Sequence, residues 1–321
     1  MNSTDEKIEN GKYTGRLAPS PTGALHLGNI RTFMIAWLRA RSLDGKIILR
    51  IEDLDHPRDK PGAVDMARRD LEWLGFDWDC EFVQSERKEL YAAAIKRLVS
   101  MDMAYPCVCS RRDVETAQSA PHAGEQLKYP GICRNKRLSW EEAAKIRPPC
   151  WRFKTDPSAG ETEVNDVFAG RFTMNVADNL GDFPLSRDRY GAGYTLAVTV
   201  DDADMGVTEV VRGDDLLPAT PAQLLVAKAL GLPTPAYCHV PLVTGPDGLR
   251  LAKRHGDTRA SAFREAGISP RRIIGMLAAS CGWCPQGTEI SLRELVPLFS
   301  LATIPKKPFV YAPANSPLHR N

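Results

Sequence analysis

Ile30, Phe33, Met34, Trp37 and Leu38 recur at the spacing of one helix face, so an amphipathic helix is predicted there. The next stretch, KIILRIEDLD, carries a β-branched run over 47–51 that ends in acids, the pattern of a buried parallel strand. A second helix is predicted over Ala63–Leu74, with Val64, Ala67, Leu71 and Leu74 inward and Gly75 in the C-terminal cap position. Ser85 precedes a third, with Leu90, Tyr91, Ala94, Ile95 and Leu98 periodic. Strand and helix alternate, which predicts an α/β, doubly wound (Rossmann-type) sheet.

The rhythm breaks over 105–149, where C-V-C, prolines, glycines and basic residues read as a surface insertion. Strands are predicted at 151–154, 166–172 and 207–211, and a helix runs from Thr220 and Pro221 to a stop at Gly231. A Gly- and Pro-rich loop, GPDGLRLAKRHGD, follows, then helices at 271–280 and 292–299 and a closing docking segment with a loose tail. The predicted division is 1–104 as the first half of the sheet domain and 105–150 as the insertion. The second half takes 151–257, and 258–321 forms a short helical C-terminal segment.

Ahead of the first predicted helix, after a short apolar-basic approach over Gly15–Ala18, lies PSPTGALHLGN. Pro19 and Pro21 stiffen the entry, and Gly23 and Gly28 permit close backbone approach ahead of a helix N-terminus, a natural anion site. The layout suits a phosphate cradle, although neither G-x-G-x-x-G nor G-x-x-x-x-G-K-[ST] is present. An ordinary tight turn is the competing reading.

Composition narrows the setting. The 321 residues hold 42 basic and 40 acidic side chains, so any nucleic-acid surface must be local. Arg111 and Arg112, Arg134 with Lys136 and Arg137, Arg271 and Arg272, and Lys306 and Lys307 are the candidates, each also explicable as a solvated face. No run approaches the ~18–20 apolar residues of a membrane span. Eight cysteines behind a polar N-terminus point to buried thiols or metal ligands in a reducing, cytoplasmic compartment.

Four motifs in order, PSPTGALHLGN, RIEDLD, VTEVVRGDDLL and LRLAK, make the chain similar to the class I glutamyl-tRNA synthetases. His26-Leu27-Gly28-Asn29 stands where that family carries its HIGH signature, and Arg250-Leu251-Ala252-Lys253-Arg254 where it carries KMSKS. Within the group the chain most resembles the glutamyl-Q tRNA(Asp) synthetases, short paralogues without an anticodon-binding domain. The short stretch after Lys253 and the cysteine pattern carry that finer choice.

The resemblance implies roles. His26 and Lys253 would stabilise charge on the ATP phosphates, with Gly28 and Asn29 beside the nucleotide. Asn29 departs from the signature's second histidine, and Arg250 and Ala252 from its first lysine and serine. Glutamate would be held by Arg16, Ala18, Ser20, Glu52, Tyr194 and Arg212. A guanidinium fork suits the side-chain carboxylate and Glu52 suits the ammonium group. An ordinary salt bridge would account for Arg212 or Glu52 alone.

Cys107, Cys109, Tyr129 and Cys133 match the pattern these paralogues use for one structural zinc ion, with His122 and Cys150 as competing fourth ligands. Cys281-x2-Cys284 reads as a plain pair of thiols. The implied partners are L-glutamate, ATP with Mg2+, and the anticodon stem-loop of tRNA(Asp) bearing queuosine; a monomer without membrane contact is expected. Two other readings stand beside this one: a truncated glutamyl-tRNA synthetase charging a tRNA 3′ end, and a catalytically silent synthetase-like RNA-binding module.

Overall fold

The computed structural model of the protein describes residues 12–21, 25–54, 62–117, 128–251 and 256–312. Gly23, His122, Ala252, Lys253 and Arg254 lie outside the described residues, as does the tail from 313 onward.

The chain opens with β1 (Thr14–Leu17), α1 (Leu27–Arg41), β2 (Lys46–Ile51), α2 (Ala63–Leu74) and β3 (Cys80–Val83), with β2 parallel to both of its neighbours. After α3 (Lys88–Ser100), β4 (Ala104–Cys107) pairs antiparallel with β5 (Cys150–Phe153). The segment between them holds α4 (Arg111–Ala117) and α5 (Trp140–Ile146). A hairpin of β6 (Thr162–Asp166) and β7 (Gly170–Met174) comes next, then α6 (Val176–Asn179) and α7 (Tyr194–Asp204). The unit β8 (Glu209–Gly213), α8 (Thr220–Leu230) and β9 (Ala236–Val240) restores parallel pairing. β10 (Val243–Thr244), α9 (Ala260–Glu265), α10 (Pro270–Ser280), α11 (Leu292–Leu295) and β11 (Phe309–Val310) complete the described chain, and β11 pairs with β10.

β8 lies beside β1: Thr208 N donates to Thr14 O at 2.9 Å and Arg16 Nη1 to Val211 O at 2.8 Å. The crossover from β1 leads to β2, whereas that from β8 leads to β9. Chain order therefore reverses between β1 and β8, and the carboxyl ends of these strands open a crevice where doubly wound folds bind ligands.

The predicted apolar face of α1 is buried, with Ile30 and Met34 wholly covered and Trp37 nearly so. It shares one core with Ile273, Ile274 and Leu277 of α10 and with Leu292 and Leu295 of α11. Each fully buried side chain of this kind contributes roughly 1.5–3 kcal/mol, so the C-terminal helices are built into the first half of the sheet domain. Gly75 and Gly231 close α2 and α8 at φ 91° and 59°, conformations a side chain would strain.

Three boundaries differ from expectation. The stretch 166–172 is no single strand but the turn of the β6–β7 hairpin, where Asp166 Oδ1 accepts from the backbone N–H groups of Phe168 and Ala169. A 3-10 turn at Gln84–Glu86 intervenes before α3. The helix at 292 ends at Leu295, because Pro297 turns the chain into a 3-10 segment.

Candidate active site

The crevice holds a cavity of about 480 Å³. Arg16, Ala18 and Ser20 line it from the end of β1, Glu52 from the end of β2, Tyr194 from the start of α7, and Arg212 from β8. His26, Gly28 and Asn29 line it from the α1 N-terminus. Every described residue expected at the amino acid or the nucleotide therefore faces one space. Arg16, Arg212 and Arg250 oppose Glu52 and Asp215 in the wall, which leaves a net positive lining.

The cations differ in their partners. Arg250 pairs with Asp215 at 2.8 Å and is largely exposed. Arg212 is only 4% exposed, and no carboxylate among the described residues pairs with it. Its donors meet neutral acceptors: Nε to His239 Nε2 at 2.9 Å, Nη1 to the Tyr194 hydroxyl at 3.2 Å, and Nη2 to Thr220 Oγ1 and Gln223 Oε1 at 2.8 and 2.9 Å. A buried cation without a counter-ion is costly unless an anion joins it. Arg16 Nε is likewise buried with no hydrogen-bond partner, and burial lowers the Arg16 pKa against the pull of Asp202.

Arg50, fully buried, carries the opposite task. It holds Glu52 at 3.0 Å and Asp202 at 2.6 Å, aiming the Glu52 carboxylate from the end of β2. Burial raises the Glu52 pKa, with Arg50 and Arg16 drawing it back down. An ammonium group beside Glu52 would relieve that cost.

His26 serves as N-cap of α1. Its Nδ1 accepts from the backbone N–H groups of Gly28 and Asn29 at 3.1 and 3.4 Å, and Asn29 Oδ1 accepts from His26 N at 3.3 Å. This capping box engages one ring nitrogen and leaves Nε2 to bear the proton. The ring lies so close over residue 28 that a Cβ there would stand 3.0 Å from His26 Cε1, which explains the glycine. Burial and the nearby Arg250 charge lower the His26 pKa, so the imidazole is neutral at pH 7.

Lys253 lies outside the described residues, but both flanks of its loop are placed. Arg250 bridges Thr244 on one side. On the other, Leu27 N donates to Thr258 O at 3.1 Å and Ala260 N to Leu25 O at 2.7 Å, so the returning chain is laced to the His26 segment.

A second cluster sits in the insertion. The sulfurs of Cys107, Cys109 and Cys133 all lie within 4.8 Å of one another, and Cys109 and Cys133 are 3.6 Å apart. A tetrahedron with Zn–S bonds of 2.3 Å has an edge of about 3.8 Å, so the three thiols fit zinc. The Tyr129 hydroxyl lies 3.3 Å from Cys107 Sγ and 3.6 Å from Cys109 Sγ. Cys150 faces Cys107 across the β4–β5 ladder, and His122 lies outside the described residues. Hydrogen bonds from Cys150 and Tyr129 favour the Cys107 thiolate, as does Arg152 Nε at 3.2 Å.

Residues 12–299 match the family described as tRNA synthetases class I (E and Q), catalytic domain. The chain belongs to this family. Relatives named glutamyl-Q tRNA(Asp) synthetase include one from Rhodopirellula baltica, 49% identical over 87% of this chain and 88% of its own. Another, from Symbiobacterium thermophilum, is 46% identical over 92% and 94%. A glutamate–tRNA ligase from Aquifex aeolicus is 40% identical over 94% of this chain but only 64% of its own. A crystal structure of a glutamate tRNA ligase from Elizabethkingia meningosepticum in complex with its amino acid superposes with a TM-score of 0.80 at 28% identity. That match covers 95% of this chain and 68% of the other. Among the described residues, no helix of this synthetase-family chain is long and apolar enough to cross a membrane.

The sequence left unmarked the groups behind the wall. Arg50 and Asp202 orient Glu52, and Asp166, His239, Thr220 and Gln223 surround Arg212. The one available signal was a single histidine inside the apolar run AYCHV, which periodicity alone cannot separate from core.

Proposed function

We propose that the protein activates L-glutamate with ATP, without needing tRNA, and transfers the glutamyl group to the queuosine base at the wobble position of tRNA(Asp). The buried Arg212 cation, unpaired by any described carboxylate, in one cavity with Arg16, Glu52, Tyr194 and His26, carries this reading. The resemblance of most of the chain to relatives bearing the glutamyl-Q name supports the acceptor.

Arg212 and Tyr194 would take the glutamate side-chain carboxylate, with Arg16 adding positive charge. Glu52 would accept from the ammonium group, and Ala18 and Ser20 would wall the bound amino acid. A glutamate α-carboxylate oxygen then bonds the α-phosphorus of ATP. The bond from that phosphorus to the β-bridging oxygen breaks, and pyrophosphate leaves with the electron pair. His26 Nε2–H donates to the phosphate oxygens as charge builds, and Lys253 brings an ammonium from its loop. Gly28 and Asn29 let the nucleotide lie close to the helix N-terminus. The protein acts as a template and an electrostatic clamp. In the second step a hydroxyl of the queuosine cyclopentene ring attacks the carbonyl carbon. AMP leaves, the hydroxyl proton is released, and an ester remains.

Cys107, Cys109, Cys133 and Tyr129 would hold one zinc ion, which closes the insertion loop and leaves no coordination position for chemistry. The same reading keeps 1–104 and 151–257 as the halves of the catalytic domain, 105–150 as the zinc insertion and 258–321 as a docked helical segment, in a cytoplasmic monomer. The test has two parts. Glutamate-dependent ATP–pyrophosphate exchange is measured without tRNA, and tRNA(Asp) incubated with glutamate and ATP is examined by mass spectrometry. A glutamyl adduct on the modified base is expected. Charging of a tRNA(Glu) 3′ end instead would reject this acceptor, and absence of exchange would reject the activation step.

A further inference from the structure

Behind Arg212, on the side away from the cavity, lies a chain of buried polar groups. His239 is wholly buried on β9, and its Nδ1 stands 2.6 Å from Asp166 Oδ2. Its Nε2 stands 2.9 Å from Arg212 Nε, which always bears a proton. Nε2 must therefore be the acceptor and Nδ1–H the donor to Asp166, so one tautomer is fixed from both ends. Asp166 is fixed in turn: its Oδ1 accepts from the N–H groups of Phe168, Ala169 and His239 at 3.0, 2.7 and 3.0 Å.

We infer that Asp166 and His239 form a buried positioning relay that aims the Arg212 fork, and so sets the preference for a carboxylate over a carboxamide in the amino-acid side chain. The inference rests on the glutamate reading above and adds to it. With Nε held by His239 and Nη2 by Thr220 and Gln223, four of the five guanidinium N–H bonds are committed to protein acceptors, counting the Nη1 bond to Tyr194. One Nη1 N–H remains, beside a Tyr194 hydroxyl that already accepts from Arg212 and so turns its own hydrogen outward. Two adjacent donors match the two acceptor oxygens of a carboxylate. A carboxamide would set its NH2 group against one of them, leaving a buried donor unsatisfied. This arrangement persists only while Nε2 is an acceptor.

The discriminating variant is Asp166→Asn. Its Oδ1 can still accept from the turn, but the amide at the second position donates to Nδ1. The ring is thereby driven to the tautomer whose Nε2–H opposes Arg212 Nε–H. In ATP–pyrophosphate exchange, Asp166→Asn should raise the glutamate KM about tenfold or more and reduce the glutamate-over-glutamine ratio of kcat/KM by a similar factor. The ATP KM should stay within about twofold, since the nucleotide is held elsewhere. His239→Leu should behave alike. His239→Gln, whose amide oxygen reaches roughly where Nε2 stands, should restore the ratio to within about threefold of wild type. If Asp166→Asn fails to fold, the His239→Leu and His239→Gln pair decides. The relay is overturned if Asp166→Asn or His239→Leu leaves glutamate KM and the ratio within about twofold of wild type. It is also overturned if His239→Gln falls with His239→Leu and both melt early, the signature of a packing role. Wild-type protein that exchanges no pyrophosphate with glutamate overturns the glutamate reading itself, and the relay with it.

Discussion

His26 and Asn29 cap each other: the imidazole Nδ1 takes the Asn29 N–H at 3.4 Å, and the Asn29 amide oxygen takes the His26 N–H at 3.3 Å. Structure and chemistry are thus joined in one ring that lines the cavity, one nitrogen capping the start of a helix and the other carrying the proton. His26→Asn should separate them, because asparagine caps well but has no second donor at that reach. The melting temperature is expected to stay near that of wild type, while the exchange rate falls about two to three orders of magnitude. Differential scanning calorimetry beside single-turnover kinetics would check this.

Arg212→Lys keeps the charge and loses the fork. Lysine offers no planar pair of donors to Tyr194 and a bound carboxylate, and it abandons the His239, Thr220 and Gln223 acceptors. Glutamate KM should rise by roughly two orders of magnitude with ATP KM nearly unchanged. Initial-rate exchange kinetics with each substrate varied in turn measure the split.

Acid should weaken the fold before it reaches the carboxylates. Burial lowers the pKa of both His26 and His239; Arg250 reinforces the first, and Arg212 the second against the Asp166 hydrogen bond. The unfolded chain therefore takes up protons at each site near pH 6.5 while the folded chain does not. Stability from these neutral rings is complete above about pH 6.5 and is lost as pH falls through their lower folded values, by up to ~1.4 kcal/mol per pH unit for each ring. Urea unfolding over about pH 5.5–7.5 should show that slope, flattened in His239→Gln.

Zinc removal should cost stability and spare activation. No described residue between 105 and 150 lines the cavity. Cys133→Ser, or chelation, is expected to lower the melting temperature and release the metal, while glutamate-dependent exchange stays within about threefold. Cys150→Ser should retain one zinc per chain and Tyr129→Phe should lose it, as elemental analysis would show.

Much of this was readable in advance where a local signal matched the global need. The 3.6-residue stripe of α1, the glycine stop of α2 and the proline start of α8 are each specified by neighbours in sequence. Helix α7 was not, because it is buried around most of its circumference, from Leu196 to Asp202, and shows no stripe. β3 is short and half-buried, which weakens its pattern. The pocket residues could be named from ordered motifs, but their supports could not. Asp166 lies 73 positions from His239, and only the folded sheet brings the hairpin turn against β9.

The lacing of Leu25 and Leu27 to Ala260 and Thr258 has an effect on which changes the chain can tolerate. With Arg250 tied to Thr244 upstream, the intervening span is a bridge with both abutments poured. A single residue gained or lost at 258–260 would slip the ladder and drag the capping imidazole off its helix, so this corner should accept changes of spelling far more readily than changes of length.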